Sequence, residues 1–219
     1  SINNMYMYQT NRQNKKARLI AFYLPQYHPI PENDIWWGKG FTEWTNSSKA
    51  RPMFKGHYQP HVPADLGYYD LRLPQARIAQ AEMAKAYGIE GFCYWHYWFG
   101  NGKRLLERPF NEVLKLKSPN FPFCLAWANH SWEDITWTTN YDTSKGSKIL
   151  IEQIYPGIED YDLHFYTMLE AFKDERYYRI DGKLVFVIYR PTTFPDCNVF
   201  IDRWQQLAKE NNISQFYFI

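Results

Sequence analysis

Ile89-Glu90-Gly91-Phe92-Cys93-Tyr94-Trp95 is a short, nearly all-apolar run that opens directly behind a glycine, Gly88. Its length and lack of alternation fit a strand covered on both faces, as in a parallel sheet. Upstream, Ala76, Ala79, Gln80, Met83, Ala84 and Tyr87 recur at helical spacing, so a helix is expected over 73–87 that Gly88 ends. A second helix is expected over 104–116. The same alternation continues outward. Apolar runs at 18–24 (stopped by Pro25), 121–127 and 183–189 read as further strands, and 216–219 begins another. Helices are expected over 160–172 and 199–209. Alternating strand and helix implies a parallel sheet with right-handed crossovers.

Two architectures fit that order, a (β/α)8 barrel and an open doubly wound sheet. No G-x-G-x-x-G follows the first strand, and the polar and aromatic residues collect just behind the strand ends, where barrel enzymes keep their sites. The expected fold is therefore α/β of the TIM-barrel type, here its N-terminal part, with four β/α units and a fifth strand. Residues 1–17 read as a polar tail and 18–219 as the partial barrel. A Pro-, Gly- and Trp-rich loop spans 25–72, long enough to suggest a functional role. Half a barrel has open sheet edges, so the 219-residue chain is expected to self-associate.

Composition removes several function classes. The chain is 45% hydrophobic and 22% charged, which fits a globular domain rather than a disordered one. Its net charge is +2 with no long basic block, so nucleic acid is not an expected partner. No apolar run is long enough for a membrane span. Cys93, Cys124 and Cys197 form no C-x-x-C and no even set. That argues for a reducing compartment, and with no apolar signal core in residues 1–16 the cytoplasm is the expected location. The 15 Phe, 18 Tyr and 9 Trp exceed what a core of this size needs, and suggest a surface that stacks on a ligand.

The candidate site gathers from the strand ends. Tyr23, Tyr27 and His28 follow the first strand, and the long loop adds Trp36, Trp37 and Trp44. The second strand ends in His96 and Trp98, which share a side because they flank Tyr97. The third supplies Trp127, Asn129, His130 and Trp132, and the fourth Tyr189 and Arg190. A wall of this kind suits sugars, whose C–H faces stack on indole and phenol while their hydroxyls need fixed donors and acceptors. Packing is the competing role for each strand-end aromatic. Glycoside hydrolysis generally needs two carboxylates, and Glu43, Asp65, Glu133 and Asp134 are the candidates in site-like loops. Asp65 also suits a turn, and Glu133-Asp134 a solvated pair. His57 and His61 have H-x-x-x-H spacing, but Pro60 and Pro63 interrupt any helix there, so neither a metal nor another cofactor is expected.

Several uncommon strings occur in order along the chain. They are Ala-Phe-Tyr-Leu-Pro-Gln-Tyr-His28, Trp-Trp-Gly-Lys-Gly-Phe-Thr-Glu-Trp44, Gly-His-Tyr-Gln-Pro-His61, Asp-Leu-Gly-Tyr-Tyr-Asp70, Gly-Phe-Cys-Tyr-Trp-His-Tyr-Trp-Phe99 and Phe-Cys-Leu-Ala-Trp-Ala-Asn129. From residue 18 onward the chain resembles the WbsX-type glycosyltransferases of bacterial O-antigen and polysaccharide gene clusters. These are similar in turn to the endo-α-mannosidases of glycoside hydrolase family 99, which are (β/α)8 barrels. The resemblance implies a barrel and an oligosaccharide or polysaccharide substrate. It also implies a role in lipopolysaccharide biosynthesis, making or breaking a glycosidic bond. The family's paired catalytic glutamates lie in a late Asn-Glu-Trp-x-x-Glu-like segment that does not occur within these 219 residues, so the resemblance places the pair beyond Ile219. Glu43, in its early Phe-Thr-Glu-Trp motif, does not inherit their role. After Asn129 the family pattern has Glu-Asn-Trp where this chain reads His130-Ser131-Trp132, so no acidic contact carries over there. The other expectation is a catalytically incomplete glycan-binding module that uses the same aromatic rim.

Overall fold

The structure, a computed structural model, describes residues 17–134 and 148–219; the polar tail before residue 17 and Trp137 lie outside that range. The first half runs β1 (Ile20–Tyr23), α1 (Pro31–Trp37), α2 (Glu43–Lys49), α3 (Pro74–Ala86), β2 (Gly91–Trp98), β3 (Arg104–Leu105) and α4 (Arg108–Leu116). The second half runs β4 (Phe123–Trp127), β5 (Trp132–Glu133), β6 (Ile149–Ile151) and α5 (Ile158–Lys173). It ends with β7 (Arg179–Ile180), β8 (Lys183–Ile188), α6 (Cys197–Glu210) and β9 (Phe216–Phe218).

β1, β2, β4, β8 and β9 pair in parallel, each with the next in chain order. The order never reverses, so the sheet lacks the switch point of a doubly wound fold. Register sets the two faces. Phe22, Cys93 and Cys124 are level neighbours, as are Trp95, Ala126 and Val187 one step higher. On this face Phe22, Tyr189 and Tyr217 are exposed. The opposite face carries Tyr94, Trp98, Leu125, Trp127, Phe186 and Phe216, all buried.

Ile219 carries the β8–β9 ladder one residue past β9. Its N–H donates to the Phe186 carbonyl at 3.1 Å, and its own carbonyl accepts from Ile188 N at 2.8 Å. By alternation its exposed side chain shares the uncovered face with Tyr217.

α5 and α6 close the opposite, buried face. Phe165, Phe172 and Trp204 pack against Phe216, and Trp204 tilts over Phe186 at 4.7 Å. The aromatic excess seen in the sequence therefore sits largely inside, because rings fill the wide gap between a twisted sheet and two helices. Gly91 is required by close approach: a Cβ there would lie 2.7 Å from the Pro122 carbonyl oxygen. The long stretch after β1 is not a plain loop. It holds α1 and α2, the second fixed by a capping box in which the Thr42 side chain accepts from Trp44 N and Thr45 returns a contact to Thr42 N.

At the N-terminal end of the sheet one ionic cluster ties four segments together. Asp174 accepts from Arg176 Nε at 2.9 Å, Arg176 Nη2 at 2.8 Å and Lys117 Nζ at 2.9 Å. Arg176 donates on to the Pro119 and Val113 carbonyls and lies over the Phe123 ring.

Candidate functional site

All five parallel strands end on one side, and the loops beyond them form a rim. One cluster there is aromatic. Trp36 of α1 meets Trp132 of β5 at 5.9 Å, and Trp132 also stands edge-on to Tyr97 and Phe99 at 5.2 and 5.8 Å. Next to Phe99, Gly100 lets Ile154 approach: its φ is +99°, and a Cβ would strike Ile154 at 2.6 Å. Beside it, Trp44 packs on Tyr27 at 4.6 Å and on Tyr69 at 4.9 Å, and its indole N–H donates to the Tyr69 carbonyl at 2.9 Å.

Glu43 links the two clusters. Its charge is felt by both Tyr27 and Tyr97, and burial raises its carboxyl above the ordinary range against an opposing hydrogen bond from Asn46. A half-buried carboxyl among phenols and indoles keeps its proton longer than an exposed one.

A third group is polar. Asn129, buried at the end of β4, donates through Nδ2 to the Arg190 carbonyl at 2.9 Å and accepts from Arg190 N at 2.7 Å. It also donates to Tyr155 Oη at 3.0 Å. These bonds fix where Tyr189 and Arg190 leave β8. Tyr189 then faces Trp95 at 5.2 Å and His130 at 5.6 Å. Burial and the nearby Arg190 lower the His130 imidazole below its ordinary value, against the pull of Glu133, so it is the neutral form that faces the rim.

The structure thus brings Tyr27, Trp36, Glu43, Trp44, Asn129, His130, Trp132, Tyr189 and Arg190 to the rim, with Glu133 beside Trp132 in β5. Trp37 is set on Phe41 at 6.0 Å. His28 is buried. Four other expected residues point elsewhere. Tyr23 donates to Gln80 of α3 at 2.6 Å. His96, Trp98 and Trp127 lie on the helix-covered face. There Trp98 stacks flat on His164 of α5 at 4.5 Å and donates to Asp160 at 3.0 Å, and Trp127 packs on Phe200 of α6. His96 Nε2 meets His164 Nε2 at 2.7 Å. At the end of the fifth strand Ile219 supplies only backbone bonds and an exposed apolar side chain, so it brings no carboxylate to the rim.

Sequence reasoning passed over Tyr155, Tyr97 and His164. His164 was findable, since it sits three residues after Tyr161 and four before Met168 on the buried stripe of α5. It also passed over Asp160-Tyr161-Asp162, which has the D-x-D spacing of metal–diphosphate motifs. Both carboxylates are already engaged, Asp160 by Trp98 and the Asn101 amide, Asp162 by a bidentate Arg203. Among the described residues no group of three His, Cys, Asp or Glu is placed to hold a metal ion. His57 instead accepts from Met53 N at 3.1 Å.

The model of the family described as "Glycosyltransferase WbsX" matches residues 19–219. Two relatives from Xanthomonas campestris pv. campestris, strains B100 and ATCC 33913, are each named "Uncharacterized protein WxcX" and are 43% identical over 202 residues. The match covers 92% of this chain and 28% of theirs, so the chain spans little more than a quarter of these relatives. Among solved structures, a "Glycoside hydrolase-like protein" is similar at TM-score 0.48 and 16% identity, over 94% of this chain and 51% of that one. A GH99 endo-α-mannosidase from Bacteroides thetaiotaomicron is similar at TM-score 0.47 and 14% identity, over 92% and 51%.

Proposed function

The chain belongs to the WbsX glycosyltransferase family, and from that premise we propose that its rim is the glycan-binding part of a protein that makes or breaks a glycosidic bond. The observation that carries this reading is a pair of rim aromatic clusters, Trp36–Trp132–Tyr97 and Tyr27–Trp44, with Glu43 near enough to Tyr97 and Tyr27 for its charge to act on both. Flat rings supply stacking surfaces for sugar C–H faces, while Glu43, His130 and Arg190, the last positioned by Asn129, supply the polar contacts that hydroxyls demand. The five strands are one arc of a (β/α)8 barrel, supported by their unreversed parallel order and by the uncovered face of Phe22, Trp95 and Tyr189. The substrate is an oligosaccharide or polysaccharide.

The test is steady-state kinetics and glycan titration on the complete protein. Trp36→Ala is expected to weaken glycan binding about tenfold through lost stacking area. Glu43→Ala is expected to weaken it between about tenfold and a hundredfold, the range for a hydrogen bond to a carboxylate. Unchanged binding in both variants would refute the site. Glycan binding by the parent protein with no turnover on any glycan would leave the binding module as the function.

A further inference from the structure

From Trp44 to Ala64 the chain contains no Asp or Glu, yet it carries Lys49, Arg51 and Lys55. All three cations are exposed, and none has a carboxylate partner among the described residues. Between them lies a tight, ordered turn. His57 N donates to the Phe54 carbonyl at 3.1 Å, Met53 N donates to His57 Nδ1 at 3.1 Å, and the Phe54 ring stacks on His57 at 4.6 Å. Gly56, at φ +86°, fits the third position of a type II turn, which only a residue tolerant of positive φ can fill.

That order makes the exposure informative. The turn is internally bonded, and still it holds Met53 at 72% and Phe54 at 68% exposure, with Tyr58 and Val62 exposed just beyond. An apolar tip ringed by unpaired cations is the pattern of a segment that lies in a bilayer interface: the rings enter the headgroup region and the cations meet lipid phosphates. A sugar platform would need amide or carboxylate side chains beside its ring, and the tip residues Met53, Phe54, Lys55 and Gly56 include none. The segment leaves from the C-terminal end of β1. It returns through Pro63, Asp65 and Gly67, which line a cavity of about 650 Å³ beside Tyr23 and Tyr27.

We infer that the 51–62 tip docks the protein on an anionic lipid surface. This goes beyond the glycan reading, and its test uses no glycan. Co-sedimentation of the complete protein with vesicles of phosphatidylcholine, with and without phosphatidylglycerol, is the measurement. At about 0.1 M salt the anionic vesicles are expected to bind at least about tenfold more tightly. The double variant Met53→Ser/Phe54→Ser is expected to lose about tenfold in binding to them. The triple variant Lys49→Gln/Arg51→Gln/Lys55→Gln is expected to lose the preference for phosphatidylglycerol. Circular dichroism checks that each variant is folded, which their exposure leads us to expect. No vesicle binding, equal binding to both vesicles, or anionic binding untouched by either variant would overturn the proposal. Weakened glycan binding with unchanged vesicle binding would also overturn it, and would make the tip a sugar platform.

Discussion

Between pH 7.5 and 5 the amides of β2 and α5 are expected to lose protection against local opening, measured by hydrogen exchange on the complete protein. The source is the His96–His164 pair. Its Nε2 atoms are 2.7 Å apart, so only one proton fits between them. His164 Nδ1 is buried without a partner, and an orphaned N–H costs more than an orphaned acceptor. The proton of His164 is therefore on Nε2 and is donated to His96. Charging one ring buries a cation among Trp98, Trp127 and Trp204, and charging both leaves two Nε2–H groups facing each other with no acceptor between them. Burial pushes both imidazoles well below their ordinary value, and Arg104 across β3 adds to the shift. Asp160 of α5 is held by the Trp98 indole and the Asn101 amide.

The sign follows from proton counts. Below an unfolded value of about 6.5 the open state binds two protons that the closed state refuses, so stability falls as pH falls. His164→Gln is expected to flatten the slope, whatever it does to stability at pH 7.5. A profile that stays level from pH 7.5 to 5 would contradict the neutral pair.

Asp174→Ala is expected to destabilise the region joining α4, α5 and β4 by about 3–5 kcal/mol, because it strands the Arg176 guanidinium, itself only 9% exposed. The Arg176 bonds hold the Asp174 carboxyl far below the usual carboxylate range, overriding burial, with Lys117 assisting. Its contribution is complete above about pH 3.9 and is lost only as pH falls below that value. The acid response of the histidine pair and that of this cluster therefore occupy separate windows. Asp174→Asn, which keeps hydrogen-bonding atoms but not the charge, is expected to cost less. Hydrogen exchange in β4 and the C-terminal turn of α5 reads both variants. A loss below about 1 kcal/mol for Asp174→Ala would place the cluster among ordinary surface pairs.

The alternation of elements was legible because burial on both faces makes β2, β4 and β8 unbroken apolar runs. α1 and α2 were not. Seven-residue helices carry too few turns for a periodic signal, and α2 is held by its Thr42–Thr45 capping and by Trp44 docking on Tyr69. The period of two correctly groups His96 with Trp98. It cannot say which side of a doubly covered strand meets the helices, and that choice decides whether the two residues line a site or a core. The rim residues Trp36, Trp44, Asn129 and Trp132 were legible as uncommon side chains beyond strand ends. Their grouping was not, since Trp36 and Trp132 lie on elements far apart in the sequence, α1 and β5. His96 and His164 stand 68 residues apart, so no local pattern joins them.

The most direct test of the account is a glycan footprint on the complete protein, read by hydrogen exchange with and without a saturating oligosaccharide. Protection is predicted at residues 26–45, 128–133 and 189–191, with the N-terminal ends of the same strands unchanged. Protection confined to segments outside this chain, or to the N-terminal end of the sheet, would contradict a glycan site on this rim.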